Sequence, residues 1–326
     1  MSQARRFLLE LQRELGGTIP FDRFMAEALH NPAFGYYATR IRGIGPRGDF
    51  STFATLGAPL ARPIAEWVHS TRQRHIVEIG AGNGKLARSV LRELGFAARL
   101  ARRYHIVETS PRLREAQEKE LRGFRIQWHA TPAEALAATG NSAAIFSNEL
   151  PDAFPCRIFE KTATGEWHEL HIELDPIRQV LRPATLPDST AFTLGLPPGS
   201  RIEVHESYRQ WLAEWVPAFH SGAMLTIDYG SPVETLYHRR PQGTLRGYAL
   251  HQRLDLEEIL AAPGLADITA DVNFTDLETW GTALGLRTLA HTTLSEFLGK
   301  KSAPTEAFRA LIQSPSGGRC SVSAQA

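Results

Sequence analysis

The chain is poor in cysteine, has almost no net charge and contains no long apolar run. Its two cysteines, Cys156 and Cys320, lie far apart, which argues against a disulfide framework or a thiolate metal site and favours a reducing compartment. The 36 basic and 35 acidic residues leave a net charge of +1, so no broad basic field attracts nucleic acid or a membrane. No apolar run reaches the length of a membrane span. We therefore predict no metal site, no nucleic-acid partner and no membrane span.

The remaining composition is typical of a globular protein. The chain of 326 residues is 43% hydrophobic and 22% charged, which allows one large domain or two modest ones. Residues 4–15 are amphipathic and contain arginine, as in a mitochondrial transit peptide, but Glu10 and Glu14 argue against that interpretation. We predict a domain helix there, and a bacterial cytoplasmic location rather than the mitochondrial matrix.

The most informative stretch is HIVEIGAGNG, residues 75–84. A short apolar run stops at Gly80, and Gly82 and Gly84 follow at every second position. Residues 85–95 then have the apolar spacing of a helix. A strand, a glycine turn and a helix N-terminus form the usual loop for a nucleotide cofactor, because glycines allow a tight turn and a close approach of the ligand to the backbone.

The spacing of this turn favours one class of cofactor. A dinucleotide fingerprint is G-x-G-x-x-G, whereas this chain has E-x-G-x-G-x-G with Glu78 near the strand end. The second pattern is typical of class I methyltransferases that bind S-adenosyl-L-methionine, since an acidic residue suits a cationic donor better than a pyrophosphate. Two alternatives stay open: a glycine turn without a ligand, and a dehydrogenase that binds a dinucleotide.

The next predicted strand, residues 103–108, ends in another acidic residue. At this place Glu108 can accept hydrogen bonds from ribose hydroxyls, although the ribose of a dinucleotide would fit equally well. Ser110 is predicted to cap the following helix, with Pro111 in its first turn. The predicted cofactor is S-adenosyl-L-methionine, with S-adenosyl-L-homocysteine as the product. The residues predicted to contact it here are Glu78, Gly80, Ala81, Gly82, Gly84, Glu108, Thr109 and Ser110.

Strands and helices alternate along the first half of the chain. This order predicts an α/β fold with a mostly parallel sheet covered by helices on both faces, and ligands at the carboxyl edge of the strands. The predicted strands are 75–79, 103–108, 125–129, 143–147 and 223–228, and the predicted helices are 85–95, 111–121 and 132–138. Residues 156–174 are predicted to form a β-hairpin about a Thr-Gly turn, and residues 183–200 a long surface connection.

A polar cluster follows the fourth strand. The segment AIFSNELPDAFP places Asn148, Glu149 and Asp152 just past a buried run, and a plain helix cap is the alternative interpretation. Two carboxylates beside the cofactor can clamp a guanidinium and orient one nitrogen toward the methyl group. A carboxylate with a raised pKa can also accept the proton that the nitrogen loses. We therefore predict that these three residues are catalytic.

The fifth strand, AMLTIDYG, ends at the same predicted edge. Asp228 and Tyr229 are predicted to be catalytic, and a strand-terminal turn at Gly230 is an equal alternative. Further along, the segment GTLRGYALH supplies three more polar side chains: Arg246, Tyr248 and His251. A lone histidine is more often structural than catalytic, so His251 is only a candidate.

Eight ordered segments resemble the MidA-like methyltransferases, over about residues 8 to 313. They are GYY (35–37), GDF (48–50), EIGAGNGKLA (78–87), VETSPRLREAQ (107–117), SNELPDAFP (147–155), IDYG (227–230), GTLRGY (243–248) and PGLADITADVNF (263–274). That family covers bacterial proteins of mostly unassigned substrate. It also includes a mitochondrial complex I assembly factor that dimethylates an arginine of a complex I subunit.

The resemblance implies a fold and a reaction. It implies a class I, Rossmann-like methyltransferase core with an N-terminal extension and an inserted substrate-binding lobe. The polar cluster after the fourth strand occupies the Asn-Glu-x-x-Asp positions of the family. Glu149 also looks like the acidic residue that follows the fourth strand in protein arginine methyltransferases, which implies a guanidinium clamp.

The sequence departs from the family after the GDF segment. The family usually continues with Thr-x-Pro-Glu, whereas this chain keeps Thr52 but has Ala54 and Thr55 in place of the Pro-Glu pair. The resemblance adds Asp49 and Thr52 to the predicted cofactor contacts. Because a carboxylate is lost from this loop, arginine as the substrate is less firmly implied than methyl transfer itself.

The sequence thus predicts an enzyme that N-methylates an arginine of a protein partner, for which a respiratory-complex subunit is one candidate. The alternatives are a methyltransferase for a small-molecule acceptor and a non-catalytic assembly factor, and a homodimer stays open. The predicted division of the chain is an N-terminal extension with a cofactor-covering loop (1–62), the first half of the core (63–155), an inserted hairpin and connection (156–200), more core (201–230), an inserted lobe (231–273), the end of the core (274–313) and a tail (314–326).

Overall fold

The fold is described from a computed structural model. The described parts of the chain are residues 2–40, 60–249, 252–299 and 307–317. Predictions for four residues therefore lie outside the described residues: Asp49, Thr52, His251 and Cys320.

The α-helices of the described residues are α1 (Gln3–Glu14), α2 (Phe21–His30), α3 (Ala61–Thr71), α4 (Lys85–Glu93), α5 (Gly95–Ala101), α6 (Pro111–Glu120), α7 (Pro132–Ala138), α8 (Glu206–Trp215), α9 (Val233–Arg239), α10 (Leu256–Ala261), α11 (Phe274–Ala283) and α12 (Leu294–Phe297). Short 3-10 helices span Pro151–Ala153, Thr190–Thr193 and Val216–Ala218, and a π-helix spans Tyr36–Arg40. Among these helices, none has both the length and the apolar character that a membrane crossing requires.

The strands of the described residues are β1 (Ile19–Pro20), β2 (His75–Ile79), β3 (Arg103–Val107), β4 (Ile126–His129), β5 (Ser142–Asn148), β6 (Arg157–Lys161), β7 (Trp167–Leu174), β8 (Ile177–Pro183), β9 (Arg201–Val204), β10 (Ser221–Ser231), β11 (Arg246–Ala249), β12 (Gln252–Leu254), β13 (Asp267–Thr269), β14 (Val272–Asn273), β15 (Leu286–Thr293) and β16 (Phe308–Pro315).

The main sheet has the order β15-β16-β10-β5-β2-β3-β4. Its strands from β10 to β4 are parallel, as predicted, and all five predicted strands lie in this part. Two antiparallel strands, β16 and β15, extend the sheet beyond β10 and were not predicted. The order reverses between β2 and β5, which creates the switch point where ligands bind in such sheets. The predicted class I, Rossmann-like fold is confirmed.

Both faces of the main sheet are buried. Along β2, Val77 and Ile79 belong to one hydrophobic cluster and Ile76 to another, because successive side chains of a strand point to opposite faces. Residues of α7, α8, α9 and α11 cover the first face, and residues of α3 and α4 cover the second. This explains why the central strands are almost continuously apolar, as the parallel-sheet prediction required.

A second sheet, separate from the main one, has the order β1-β7-β6-β9, with β8 paired to β7. The predicted hairpin is confirmed as β6 and β7. The prediction of a surface connection at 183–200 is wrong in part, because Ala191 and Leu196 are buried. The Asp276 carboxylate holds this segment by accepting hydrogen bonds from the Ser189 and Thr190 hydroxyls at 2.6 and 2.7 Å.

A small third sheet, in the order β12-β11-β13, lies in the part of the chain predicted as an inserted lobe. Its buried residues share one hydrophobic cluster with α1, α2 and the second sheet. Phe24 from α2, Ile172 from β7 and Ile268 from β13 are members of this cluster. The N-terminal extension, the hairpin and the lobe therefore pack against one another, although they lie far apart in the sequence.

Candidate functional site

A cavity of about 830 Å³ lies at the carboxyl edge of the main sheet. Residues that follow β2, β3, β5 and β10 line it, together with residues of α2, α8 and the third sheet. Its volume is within the range of about 300–1,000 Å³ that small-molecule sites occupy. It is placed at the switch point between β2 and β5, where the sheet topology predicts a ligand.

The glycine turn forms one wall of this cavity. Gly80, Gly82 and Gly84 have φ angles of 71°, 54° and 81°, so each lies in the left-handed region that side chains rarely adopt. Ala81 lies between them, buried at the cavity wall. Gly84 directly precedes α4, which leaves the first amide groups of that helix at the end of the turn. The turn therefore has the backbone that close approach of a cofactor requires.

Glu78 is almost completely buried at the end of β2 and also lines the cavity. Its Oε2 accepts a hydrogen bond from the Tyr104 hydroxyl at 2.7 Å. The pKa of Glu78 is raised to about 7, mainly by burial and also by the nearby Glu108, while the hydrogen bond from Tyr104 opposes the rise. A cationic ligand in the cavity would favour the ionised carboxylate.

Glu108 follows β3 on the same edge and is held by donors on both carboxylate oxygens. Its Oε1 accepts from the Ser110 amide and its Oε2 from the Gln117 side chain, both at 2.8 Å. Burial raises its pKa, and these hydrogen bonds oppose the rise. Thr109 and Ser110 line the cavity beside it, and the Ser110 hydroxyl caps α6 as predicted.

Asn148 and Glu149 lie side by side at the end of β5, and both line the cavity. Nδ2 of Asn148 donates to Oε1 of Glu149 at 3.2 Å. Within the described residues, the buried Oδ1 of Asn148 has no hydrogen-bond partner, so it is an acceptor available to a bound amine or guanidinium. Glu149 has a φ of 52°, a strained conformation for a residue with a side chain, and such strain is common at functional sites.

Asp152 and Asp228 form a buried pair of acids next to this segment. Asp152 lines the cavity and accepts a hydrogen bond from the Thr269 hydroxyl at 2.7 Å. Its pKa is raised to about 6, mainly by burial. Asp228 is fully buried and is not part of the cavity lining; its carboxylate accepts from the Asp152 amide at 3.1 Å. The Asp228 carboxylate thus holds the turn that carries Asp152, and its catalytic role stays a prediction.

Tyr229 lines the cavity and contacts Arg246, which the sequence analysis named as a polar side chain without a role. The Arg246 guanidinium lies 5.5 Å from the ring centre of Tyr229, close enough for a cation–π contact. It forms a 2.6 Å ion pair with Asp271 and donates to the Tyr248 hydroxyl at 3.2 Å. Arg246 and Tyr248 also line the cavity.

Sequence reasoning missed several residues that the fold brings to the cavity. The Tyr37 hydroxyl donates to Asp267 at 2.7 Å, and both residues line the cavity. On the side beyond Asp152, the rings of Phe154 and Trp211 lie 5.2 Å apart. The GYY and PGLAD segments contained Tyr37 and Asp267, but nothing local indicated that residues 230 positions apart would meet.

The cavity is strongly acidic. Of the described residues that line it, one is an arginine and six carry carboxyl groups: Glu78, Glu108, Glu149, Asp152, Glu214 and Asp267. S-adenosyl-L-methionine fits this lining, because Glu108 can accept from its ribose, the glycine turn can approach it closely, and the acids attract its sulfonium and ammonium charges. The acids remaining near Glu149 can receive a second cation.

A family model described as "Putative S-adenosyl-L-methionine-dependent methyltransferase" matches residues 59–292. Among curated proteins, the chain is similar to the mitochondrial protein arginine methyltransferase NDUFAF7 of Xenopus tropicalis, with 30% identity over 299 residues. The match covers 79% of this chain and 66% of the relative. The human NDUFAF7 is 28% identical over 303 residues, covering 80% of this chain and 65% of that protein. The chain thus spans slightly less than two thirds of the length of these relatives.

The chain is also similar to solved structures from Burkholderia thailandensis. One contains bound S-adenosyl-homocysteine and has a TM-score of 0.83 at 27% identity, covering 98% of this chain and 94% of that chain. A native crystal structure of the same superfamily has a TM-score of 0.78 at 26% identity, covering 99% and 94%. The cofactor predicted from the glycine turn is therefore confirmed at the level of the family.

Proposed function

Since the chain belongs to this family of S-adenosyl-L-methionine-dependent methyltransferases, we propose that it N-methylates an arginine side chain of a protein partner. Methyl transfer is the property of the family, and the acceptor is our proposal. The observation that carries it is the strained Glu149 beside Asp152 in a cavity with six carboxyl groups. One carboxylate can bind a guanidinium through two parallel hydrogen bonds, and a second carboxylate nearby can accept the proton that the reacting nitrogen loses.

The proposed division of labour rests on two groups. Bound S-adenosyl-L-methionine supplies an electrophilic methyl group on a sulfonium sulfur. Glu149 and the free Oδ1 of Asn148 accept hydrogen bonds from the guanidinium and hold one nitrogen in line, since positioning contributes most to such displacements. Asp152, whose pKa is raised to about 6, is ionised at neutral pH and basic enough to accept the proton that this nitrogen loses.

The outer part of the cavity supports a long cationic side chain as the acceptor. Ser207, Trp211 and Glu214 all line it from one face of α8, at the helical spacing that places residues on the same side. Trp211 and Phe154 offer aromatic surface to an aliphatic stem and a guanidinium. Glu214 is exposed at this end, so charge complementarity also favours a basic segment of a protein. The names of the curated relatives agree with a protein acceptor.

The test uses the purified protein, labelled S-adenosyl-L-methionine and a lysate of the source organism. We expect the wild-type protein to label a protein on arginine, identified by mass spectrometry. Glu149→Gln should keep its affinity for S-adenosyl-L-homocysteine within about threefold but lower the transfer rate at least about 100-fold, because the reacting nitrogen is no longer held in line. Glu257→Gln, which changes an exposed carboxylate on α10 outside the cavity lining, is the control and should keep the rate.

Three results would contradict the proposal. Label found only on a small molecule would identify a different acceptor. Label on lysine alone would contradict the assignment of Glu149 and Asn148 as the groups that bind a guanidinium. A protein that binds the cofactor but labels nothing in the lysate, with Glu149→Gln unchanged in every assay, would favour a binding role without catalysis.

A further inference from the structure

We infer that Gln117 is a positioning residue for the cofactor, because its side-chain amide joins the glycine turn to the carboxylate of Glu108. This inference rests on cofactor binding and is independent of the methyl acceptor. Gln117 lies on α6, at the end of a segment in which sequence reasoning assigned Glu108, Thr109 and Ser110 but not Gln117. Its side chain is completely buried.

The amide of Gln117 uses both of its hydrogens. Nε2 donates to the backbone carbonyl of Gly82 at 2.8 Å and to Oε2 of Glu108 at 2.8 Å. One side chain thus connects the loop after β2 with the acid after β3. The first is the turn predicted to approach the cofactor closely, and the second is the acid predicted to bind its ribose.

Trp128 fixes the orientation of this amide. Its indole Nε1 donates to Oε1 of Gln117 at 3.0 Å, and an indole nitrogen can only donate. The oxygen of Gln117 must therefore face Trp128, and the NH₂ group must face two acceptors, the carbonyl of Gly82 and the carboxylate of Glu108. The reversed amide would place two donors together on one side and three acceptors together on the other.

Glu108 is consequently held at both oxygens before any ligand arrives. The Ser110 amide occupies one position on Oε1 and Gln117 occupies one on Oε2. Each oxygen of a carboxylate has a further lone pair, and fixing the group in this way directs those lone pairs for a ribose diol. Preorganisation of this kind lowers the cost of binding.

A neutral amide suits this position for an electrostatic reason. It stabilises the ionised form of Glu108, whose pKa is raised by burial. A lysine or arginine would do so more strongly, but would place a positive charge near a cationic cofactor. Gln117 also packs closely on the turn: a Cβ built on Gly84 would lie 3.3 Å from the Cα of Gln117.

The experiment compares two ligands by calorimetry, S-adenosyl-L-homocysteine and its analogue without the 2′ and 3′ hydroxyls. Gln117→Met keeps the length of the side chain and removes its hydrogen bonds. We expect it to weaken binding of S-adenosyl-L-homocysteine about tenfold or more, as for lost bonds to a charged group. Binding of the analogue should weaken by less than about threefold, since Glu108 has no diol to bind there.

Two further variants make the comparison decisive. Gln313→Met alters another buried glutamine, on β16 and away from the cavity lining, and should leave both affinities unchanged. Trp128→Phe removes the donor that orients Gln117. If Gln117→Met fails to fold, Trp128→Phe should likewise weaken binding of S-adenosyl-L-homocysteine more than binding of the analogue. Equal weakening of both ligands, or no weakening of either, would overturn the inference. None of these results depends on which acceptor is methylated.

Discussion

At the scale of single residues, the cavity holds buried carboxyl groups that ionise less readily than exposed ones until a cation binds next to them. Glu78 is the clearest case, because its carboxyl is buried against the Tyr104 hydroxyl and its pKa is about 7. Near neutral pH, a large fraction of the free protein carries this group without charge. A ligand with a positive charge binds the ionised form better, so its binding should be linked to the loss of a proton.

We expect the affinity for S-adenosyl-L-methionine to rise with pH through Glu78. The pKa of this group is raised, so the carboxyl is mostly neutral at pH 6 and mostly ionised at pH 8. Because the cationic S-adenosyl-L-methionine should bind the form with ionised Glu78, its dissociation constant should fall about tenfold between these two pH values. Glu78→Gln keeps an acceptor for Tyr104 but cannot ionise, so it should lose this dependence.

Calorimetry of the wild type and Glu78→Gln at pH 6 and pH 8 checks this prediction. The amino group of the ligand titrates equally in both experiments, and the ratio of the two dissociation constants removes its effect. A constant ratio across this range would show that Glu78 does not change its ionisation on binding.

Local motifs predicted the inner half of the candidate site and not the outer half. Glu78, Glu108 and Glu149 each follow a recognisable apolar strand, so their common edge could be inferred from the sequence. Trp211 comes to the cavity on α8, and its helical surroundings carry no motif. Asp228 shows the reverse limit: it lies near the end of β10 at the same edge, but it is not part of the cavity lining.

At the scale of elements, the turn between β2 and α4 is the most constrained part of the site. Gly84 needs a left-handed backbone and also lies against α6, since a Cβ there would be 3.3 Å from the Gln117 Cα. Gly95, which begins α5, has a similar φ of 75° but no atom within 4 Å of its built Cβ. The two glycines therefore separate the cost of backbone strain from the cost of crowding.

We expect Gly84→Ala to destabilise the protein more than Gly95→Ala. Both substitutions pay about 1–2 kcal/mol for a left-handed residue with a side chain. Crowding of a packed region adds about 1–3 kcal/mol at Gly84 alone. Urea denaturation of both variants measures the difference. Gly84→Ala should also weaken S-adenosyl-L-homocysteine, whereas Gly95→Ala should not, and equal losses of stability would contradict the assigned packing of α6 on the turn.

The elements that sequence reasoning identified are the ones with strong local signals. Both β2 and α6 were predicted within a residue of their observed bounds, because an apolar run and a Ser-Pro helix start are local signals. Strands β15 and β16 mix polar with apolar residues, and the pairing of β16 with β10 and of β15 with β16 is a long-range property. The segment at 183–200 looked like a surface loop since its polar residues find their partner on the distant helix α11.

At the scale of the whole molecule, parts that are far apart in the sequence close the cavity together. Tyr37 comes from the N-terminal π-helix and Asp267 from the small third sheet, and their hydrogen bond joins the two at the cavity. The pKa of Asp267 is raised to about 7, mainly by burial and also by the charge of Asp152. This contact between added segments is therefore sensitive to pH.

We expect the stability of Asp267→Asn to increase relative to that of the wild type as the pH rises. The pKa of Asp267 is raised in the folded protein, so its contribution is fully present at low pH and is lost as the pH rises through about 7. Between pH 6 and pH 8 this loss amounts to about 1 kcal/mol. The asparagine avoids it and still accepts from Tyr37.

Free energies of unfolding at pH 6 and pH 8 check this expectation. The difference between Asp267→Asn and the wild type should increase by about 1 kcal/mol over this range. Glu257→Gln changes an exposed carboxylate near the same sheet and serves as the control. A pH-independent difference for Asp267→Asn would mean that the carboxyl is ionised throughout.

Strand β10 has a consequence for how the molecule can open. It is paired on one side with β5, on the other with β16, and at its last two residues with β14. Such a strand belongs to the cooperative unit that separates only when the entire protein unfolds. We therefore expect the backbone amides of β10, which carries Tyr229, to exchange their hydrogens most slowly. A ligand would then enter and leave through parts of the cavity wall that open faster.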